Sequence, residues 1–175
     1  LFHLREKENV FFTIFIYNKE RLIMRQKLCL KYKRLTPNAE APYKASDGAA
    51  CVDLFVSKTE TIYPQRGQER AYLIHTGIAL DIPKGYHAEI YLRSSTGRDT
   101  KFRLANGTGI IDNDYTGEIM LLVENIGPYV TRINEGDRIA QLMLVKDVVF
   151  DLEEVEEITK ETKRGSNGFG STGRN

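Results

Sequence analysis

Residues 106–118 read NGTGIIDNDYTGE: a Gly-rich turn, two isoleucines, then acids and amides closed by an aromatic residue and another glycine. Gly107 and Gly109 permit positive φ and close backbone approach, while Ile110 and Ile111 anchor the arm in apolar surroundings. The stretch is expected to form a β-hairpin presenting a carboxylate beside an aromatic ring at the mouth of a pocket. Asp112 and Asp114 lie two apart, so on a strand they would share a face. Asn, Asp and Gly are also the commonest turn residues, and taken alone the segment reads equally well as a solvated turn. Its neighbours decide what it belongs to.

Downstream, Ile119 to Val123 is continuously apolar, the pattern of a buried central strand, and Gly127-Pro128 ends it. A turn at Gly136-Asp137-Arg138 leads into Ile139–Val145, where Gln141 is the only strongly polar side chain: a satisfied core amide or one aimed at a ligand. Upstream, Tyr86, Ala88, Ile90 and Leu92 alternate with His87, Glu89, Tyr91 and Arg93, which puts Arg93 on the polar face as the strand ends. Ser94, Ser95, Thr96 and Gly97 follow as a loop. A guanidinium with two hydroxyls and turn N–H groups suits an oxyanion, although Arg-Ser-Ser alone is a weak signal.

Further upstream, Tyr72–Ile82 reads as a strand closed by Pro83-Lys84-Gly85, and Ala49–Val56 as a strand carrying one acid, Asp53. An unpaired buried carboxylate is costly, so Asp53 needs a partner or a polar cavity unless it sits at a strand edge. Gln26–Leu35 alternates as a half-buried strand, followed by a loop over Thr36–Gly48. Leu152, Val155 and Ile158 fit a helical turn or an irregular strand, and Asp151–Glu157 a solvated acidic face. Short strands punctuated every ~8–12 residues predict an all-β sandwich, barrel or jelly roll.

The whole chain narrows the function classes. Its 175 residues suit one domain, and 25 Lys plus Arg against 24 Asp plus Glu give a net charge of +1, with no field that calls for nucleic acid or an anionic membrane. Cys29 and Cys51 form neither a CxxC nor a Cys/His metal pattern and are expected as small buried fillers in a reducing, cytoplasmic or other intracellular compartment. No run approaches the ~20 apolar residues of a membrane helix. His3, His75 and His87 are scattered and read as surface or satisfied core residues; Ser94 has no visible His partner for nucleophilic work. Residues 1–23, before the first Met at 24, are expected to be a leader, residues 24–158 the β domain, and 159–175 a mobile arm. In that arm RGSNGFGSTG, 164–173, frames one aromatic residue with glycines and donors, the makings of a lid.

Read jointly, GAACVDLF, LRSS, GIIDNDYTGEI, GDRIAQL and RGSNGFGSTG resemble, in order, the five motifs of the trimeric deoxyuridine triphosphatase (dUTPase) family. Cys51 replaces the Gly usual in the first motif, and Leu92 the Pro that commonly precedes Arg-Ser. The resemblance implies a jelly-roll homotrimer with active sites shared among chains, hydrolysing dUTP to dUMP and pyrophosphate with Mg²⁺. It implies that Asp112 is the general base and that Tyr115 lies under the deoxyribose. Asn106, with Gly109 and Ile111, matches the uracil-reading arm; Arg93, Ser94, Ser95 and Gln141 match phosphate contacts. Asp53 matches the acid that places the metal, through water. Phe169, followed by Gly170, matches the ring over uracil, and Arg164, Ser171 and Thr172 match γ-phosphate contacts.

Two alternatives accompany this expectation. A dCTP deaminase, or a bifunctional deaminase-diphosphatase, shares the fold but needs a Glu base five residues beyond Gly117, where Leu122 stands with Glu124 nearby. A nucleotide-gated regulatory binding module would use occupancy to control a partner.

Overall fold

The computed structural model describes residues 28–65, 71–162 and 165–166. Within them, ten strands and one short helix follow in order: β1 Lys31–Arg34, β2 Val52–Phe55, β3 Glu60–Ile62, β4 Tyr72–Asp81, β5 Tyr86–Leu92, α1 Ser94–Asp99, β6 Phe102–Leu104, β7 Gly109–Ile111, β8 Glu118–Asn125, β9 Thr131–Ile133 and β10 Arg138–Lys146. They form two four-stranded antiparallel sheets, β1-β4-β8-β6 and β2-β10-β5-β7, with a small β3-β9 pair. The all-β jelly-roll expectation is met.

Alternation builds the core. Ile74, Ile78, Ile119, Leu121 and Val123 bury side chains from the first sheet against Leu54, Ala88, Ile90, Ala140 and Leu142 of the second. Each such Leu or Ile stabilises the fold by about 1.5–3 kcal/mol through apolar area removed from water. On the outer face of β5, His87, Glu89 and Tyr91 stand in a row, as period-two geometry requires.

Several expectations are corrected. The N-terminal strand is shorter than 26–35 and exposed at every position, because β1 is an edge strand paired only with β4. β8 is not continuously buried: Met120 and Leu122 are half-buried, so only alternate residues face the core. Leu152, Val155 and Ile158 form neither helix nor strand and are 92%, 51% and 80% exposed. Cys29 is exposed rather than a buried filler, while Cys51 is half-buried and its thiol is pushed up by burial and by the charge of Asp53.

The 106–118 segment differs most. Its strand β7 pairs with β5 in one sheet, while β8 pairs with β4 and β6 in the other. The segment is therefore an arch that crosses between sheets and returns, not a hairpin. Asp112 and Asp114 sit in the return turn instead of on a strand face, with the Tyr115 N–H donating to the Asp112 carbonyl at 3.2 Å.

His87 illustrates how the outer face is held. Its Nδ1 lies 2.7 Å from Asp147 and its Nε2 3.3 Å from Glu89, which also accepts from Tyr91. Two acceptors on one ring call for two N–H donors, the cationic form. Hydrogen bonds to Asp147 and then Glu89 accordingly raise the His87 pKa. A group whose folded pKa is raised contributes stability that is complete below its unfolded value, ~6.5, and is lost as pH climbs through the folded one. The melting temperature of wild type minus that of His87→Asn is expected to be largest in mildly acidic buffer and to shrink as pH rises; a difference that does not vary with pH would contradict the assignment.

Candidate active site

At the end of β5 the buried Asp53 of β2 is met by two arginines. Arg93 Nε donates to Asp53 Oδ1 at 3.1 Å, and Arg138 Nη1 to Oδ2 at 3.2 Å. Arg93 Nη1 also donates to the Arg138 carbonyl at 3.0 Å, and its backbone N–H to the Ile139 carbonyl at 3.0 Å. Pairing resolves the cost of burying Asp53, and two cations against one anion leave a positive pole. Among the described residues the rest of the Arg93 fork has no partner, which leaves it to an outside oxyanion.

Gln141 sits opposite both Asp53 and Tyr91 on the ladder and donates from Nε2 to the Leu92 carbonyl at 3.1 Å. It is half-buried at this same pole. Ser94 and Ser95 do not form the expected loop but open α1, which Arg93 precedes in extended conformation; Gly97 N–H returns to the Arg93 carbonyl at 3.0 Å. The two serines thus occupy the first turn of α1, directly after Arg93. Arg138 escaped the sequence reading, which treated it as part of a turn. Asp53's need for a partner was the available signal. The Arg138 guanidinium also lies over the Tyr43 and Phe55 rings, 5.5 and 5.8 Å from their centroids, which fixes its direction.

The second cluster is the arch turn. A shallow cavity of about 280 Å³ is lined by Ile110, Ile111, Asp112, Tyr115, Glu118 and Met120, among others. Asp112 is exposed, and Tyr115 is 42% exposed with its hydroxyl donating to the Glu118 carbonyl at 3.0 Å. Gly109 packs against Ile90, and Asn106 lies before it in the exposed β6–β7 turn.

One chain does not bring the two clusters together. β7 runs antiparallel to β5 with Gly109 opposite Ile90 and Ile111 opposite Ala88, so Asp112 leaves the sheet at the end of β5 remote from Arg93. Five residues separate Ala88 from Arg93, roughly 17 Å at ~3.4 Å per residue. The expected contributors Arg164, Phe169, Gly170, Ser171 and Thr172 lie outside the described residues.

The donor set limits how a metal could be held. Among the described residues no group of three or more His, Cys, Asp or Glu gathers around one point, and both Asp53 oxygens already hold arginines. A dedicated protein cage does not fit. A hard cation that keeps its waters would fit, with Asp53 holding it through water.

Glu124, the residue that kept a deaminase in view, lies elsewhere. It is six residues along β8 from Glu118, roughly 20 Å, and its buried carboxylate is paired with Arg103. It is not the base of the arch.

The geometry defines a jelly-roll sandwich with an acid paired by two arginines at one end and an acid-aromatic arch at the other. Residues 37–173 match the dUTPase family model. The chain is 38% identical over 144 residues to the deoxyuridine 5'-triphosphate nucleotidohydrolase of Clostridium novyi, covering 82% of this chain and 98% of that one. It is 39% identical over 146 residues to the mouse protein of the same name, covering 83% and 86%. Among solved structures, the Staphylococcus bacteriophage 80alpha dUTPase with dUPNHPP superposes with a TM-score of 0.76 at 28% identity, over 84% of this chain and 99% of that one. A mutant dUTPase from phage phi11 of S. aureus, described for its coordination of a structural Mg(II) ion, gives 0.66 at 26%, over 74% and 98%. The chain belongs to the dUTPase family.

Proposed function

We propose that this protein hydrolyses dUTP to dUMP and pyrophosphate as a homotrimer, in sites assembled from neighbouring chains. The observation that carries the shared site is the β5–β7 register, which holds Asp112 and Arg93 at opposite ends of one strand. A second copy related by rotation brings the arch of one chain to the cationic pole of the next. The apolar stretch after β10 supports assembly too: Val148, Val149, Phe150 and Leu152 are 72–93% exposed in the isolated chain, a run of apolar side chains that association would cover.

In this reading Arg93, Ser94, Ser95 and Gln141 grip the triphosphate, with Arg138 and Asp53 aiming the Arg93 fork. Asp112 of the neighbouring chain accepts a proton from a water placed in line with the α-phosphorus. Attack forms the new P–O bond, and the bond to the bridging oxygen breaks as pyrophosphate leaves. A carboxylate with a reference pKa of ~3.9 is a weak base, so most of the acceleration comes from positioning and charge neutralisation. Asp53 would hold a Mg²⁺ ion through water, and the ion would supply part of that neutralisation.

Tyr115 lies against the sugar and leaves no room for a 2′-hydroxyl. Asn106, Gly109 and Ile111 present backbone donors and acceptors to the uracil edge, where a mismatched polar group is penalised. Arg164, Phe169, Gly170, Ser171 and Thr172 close over base and γ-phosphate as an arm from residue 159 onward. Residues 24–158 form the β domain.

The test is a substrate panel with Mg²⁺. Pyrophosphate release from dUTP is expected to exceed that from dCTP, dTTP and UTP by about 10²-fold or more, in keeping with a site built around specific hydrogen bonds. Ammonia release from dCTP, or no turnover of dUTP, would overturn the reading.

A further inference from the structure

We infer that Gly117 and Glu118 form a brace that sets the plane of the Tyr115 ring, making Gly117 a positioning residue for sugar selection. This rests on the reading of Tyr115 as the sugar platform. The brace itself is read from geometry. A Cβ built at Gly117 meets the Tyr115 Oη at 2.6 Å and Cζ at 2.7 Å, about an ångström inside the ordinary contact of ~3.5–4.0 Å. Gly117 is not among the glycines with positive φ. Its backbone would accept a side chain, and the three atoms nearest the added Cβ all belong to the ring and its hydroxyl.

The other side of the brace is equally specific. The Tyr115 hydroxyl donates to the Glu118 carbonyl at 3.0 Å. That carbonyl is fixed because the Glu118 carboxylate is anchored on β4: Oε1 accepts from the Gly77 N–H at 2.8 Å, and Oε2 lies 3.0 Å from His75 Nδ1. Gly77, at φ 66°, sits in the register shift between His75 and Ala79 that turns this N–H toward β8. A Cβ there would meet Ala39 at 2.7 Å, which ties the bulge to the core. An exposed ring that would otherwise sample rotamers is thereby held at its hydroxyl end between the Gly117 backbone and the Glu118 carbonyl.

Gly117→Ala tests the brace. The clashing atoms belong to the far end of a side chain, so the ring is displaced and the sheet persists. The ratio of kcat/KM for dUTP to that for UTP is expected to fall about tenfold or more, as ångström-scale misplacement does elsewhere. In a Tyr115→Ala background the same change should leave the ratio unaltered, since the residue acts only through the ring. A wild-type ratio in Gly117→Ala, or an equal fall in both backgrounds, would overturn the inference. If Gly117→Ala alone melts without a cooperative transition, the Tyr115→Ala/Gly117→Ala double variant should recover one, and failure to recover it counts against the brace. This melting arm needs no substrate. A wild type that does not prefer dUTP would sink the sugar-platform reading, and the brace is then decided by melting alone: Gly117→Ala should lower the melting temperature of wild type more than that of Tyr115→Ala, and an equal drop in both would overturn it.

Discussion

Asp112→Asn is expected to bind dUTP as tightly as wild type or tighter, and to turn it over about 10²–10⁴-fold more slowly. Asn keeps the size and hydrogen-bonding reach of the carboxylate but cannot take a proton from water. Binding survives because Asp112 is exposed in the arch turn and, among the described residues, its side chain holds no partner. Removing a negative charge near a triphosphate also relieves repulsion. Titration calorimetry with a non-hydrolysable dUTP analogue and single-turnover kinetics separate the two effects. A normal turnover rate would remove Asp112 from the mechanism, and lost binding with unchanged chemistry would make it a substrate contact.

The second large effect is at the other pole. Arg93→Gln keeps a donor for Asp53, and Arg138 still pairs the second oxygen at 3.2 Å, so the fold should hold. What disappears is the charged fork directed at phosphate. The loss of one preorganised donor to developing charge lowers kcat/KM by about 10²–10³-fold. Arg93→Lys is expected to restore little, because a point charge does not reproduce a fork already bonded to a carboxylate and a carbonyl.

The sequence made some of this arrangement plain and hid the rest for identifiable reasons. β5 was legible because Tyr86–Leu92 alternates cleanly, and its end placed Arg93 on the polar face. Asp53 announced a partner because a single acid stood in an apolar run, and the structure supplies two. The arch was misread as a hairpin because local turn chemistry is blind to which sheet a strand joins. β7 finds β5 and β8 finds β4 through non-local pairing that no short window contains. The helix at Ser94–Asp99 was hidden since Ser, Gly and Asp are weak helix formers. The roles of Gly117 and Glu118 were invisible as well, because they depend on a ring folding back and on a bulge 41 residues away in sequence.

The central claim, that hydrolysis takes place between chains, is tested most directly by mixing the two crippled variants. Asp112→Asn and Arg93→Gln proteins are each purified, then unfolded and refolded together at equal amounts, so that subunits redistribute. If each site takes its base from one chain and its phosphate grip from another, about a quarter of the sites combine two intact contributors, and dUTPase activity returns to about that fraction of wild type. If one chain builds the whole site, every site in the mixture carries a lesion, and the refolded mixture stays as inactive as its parents.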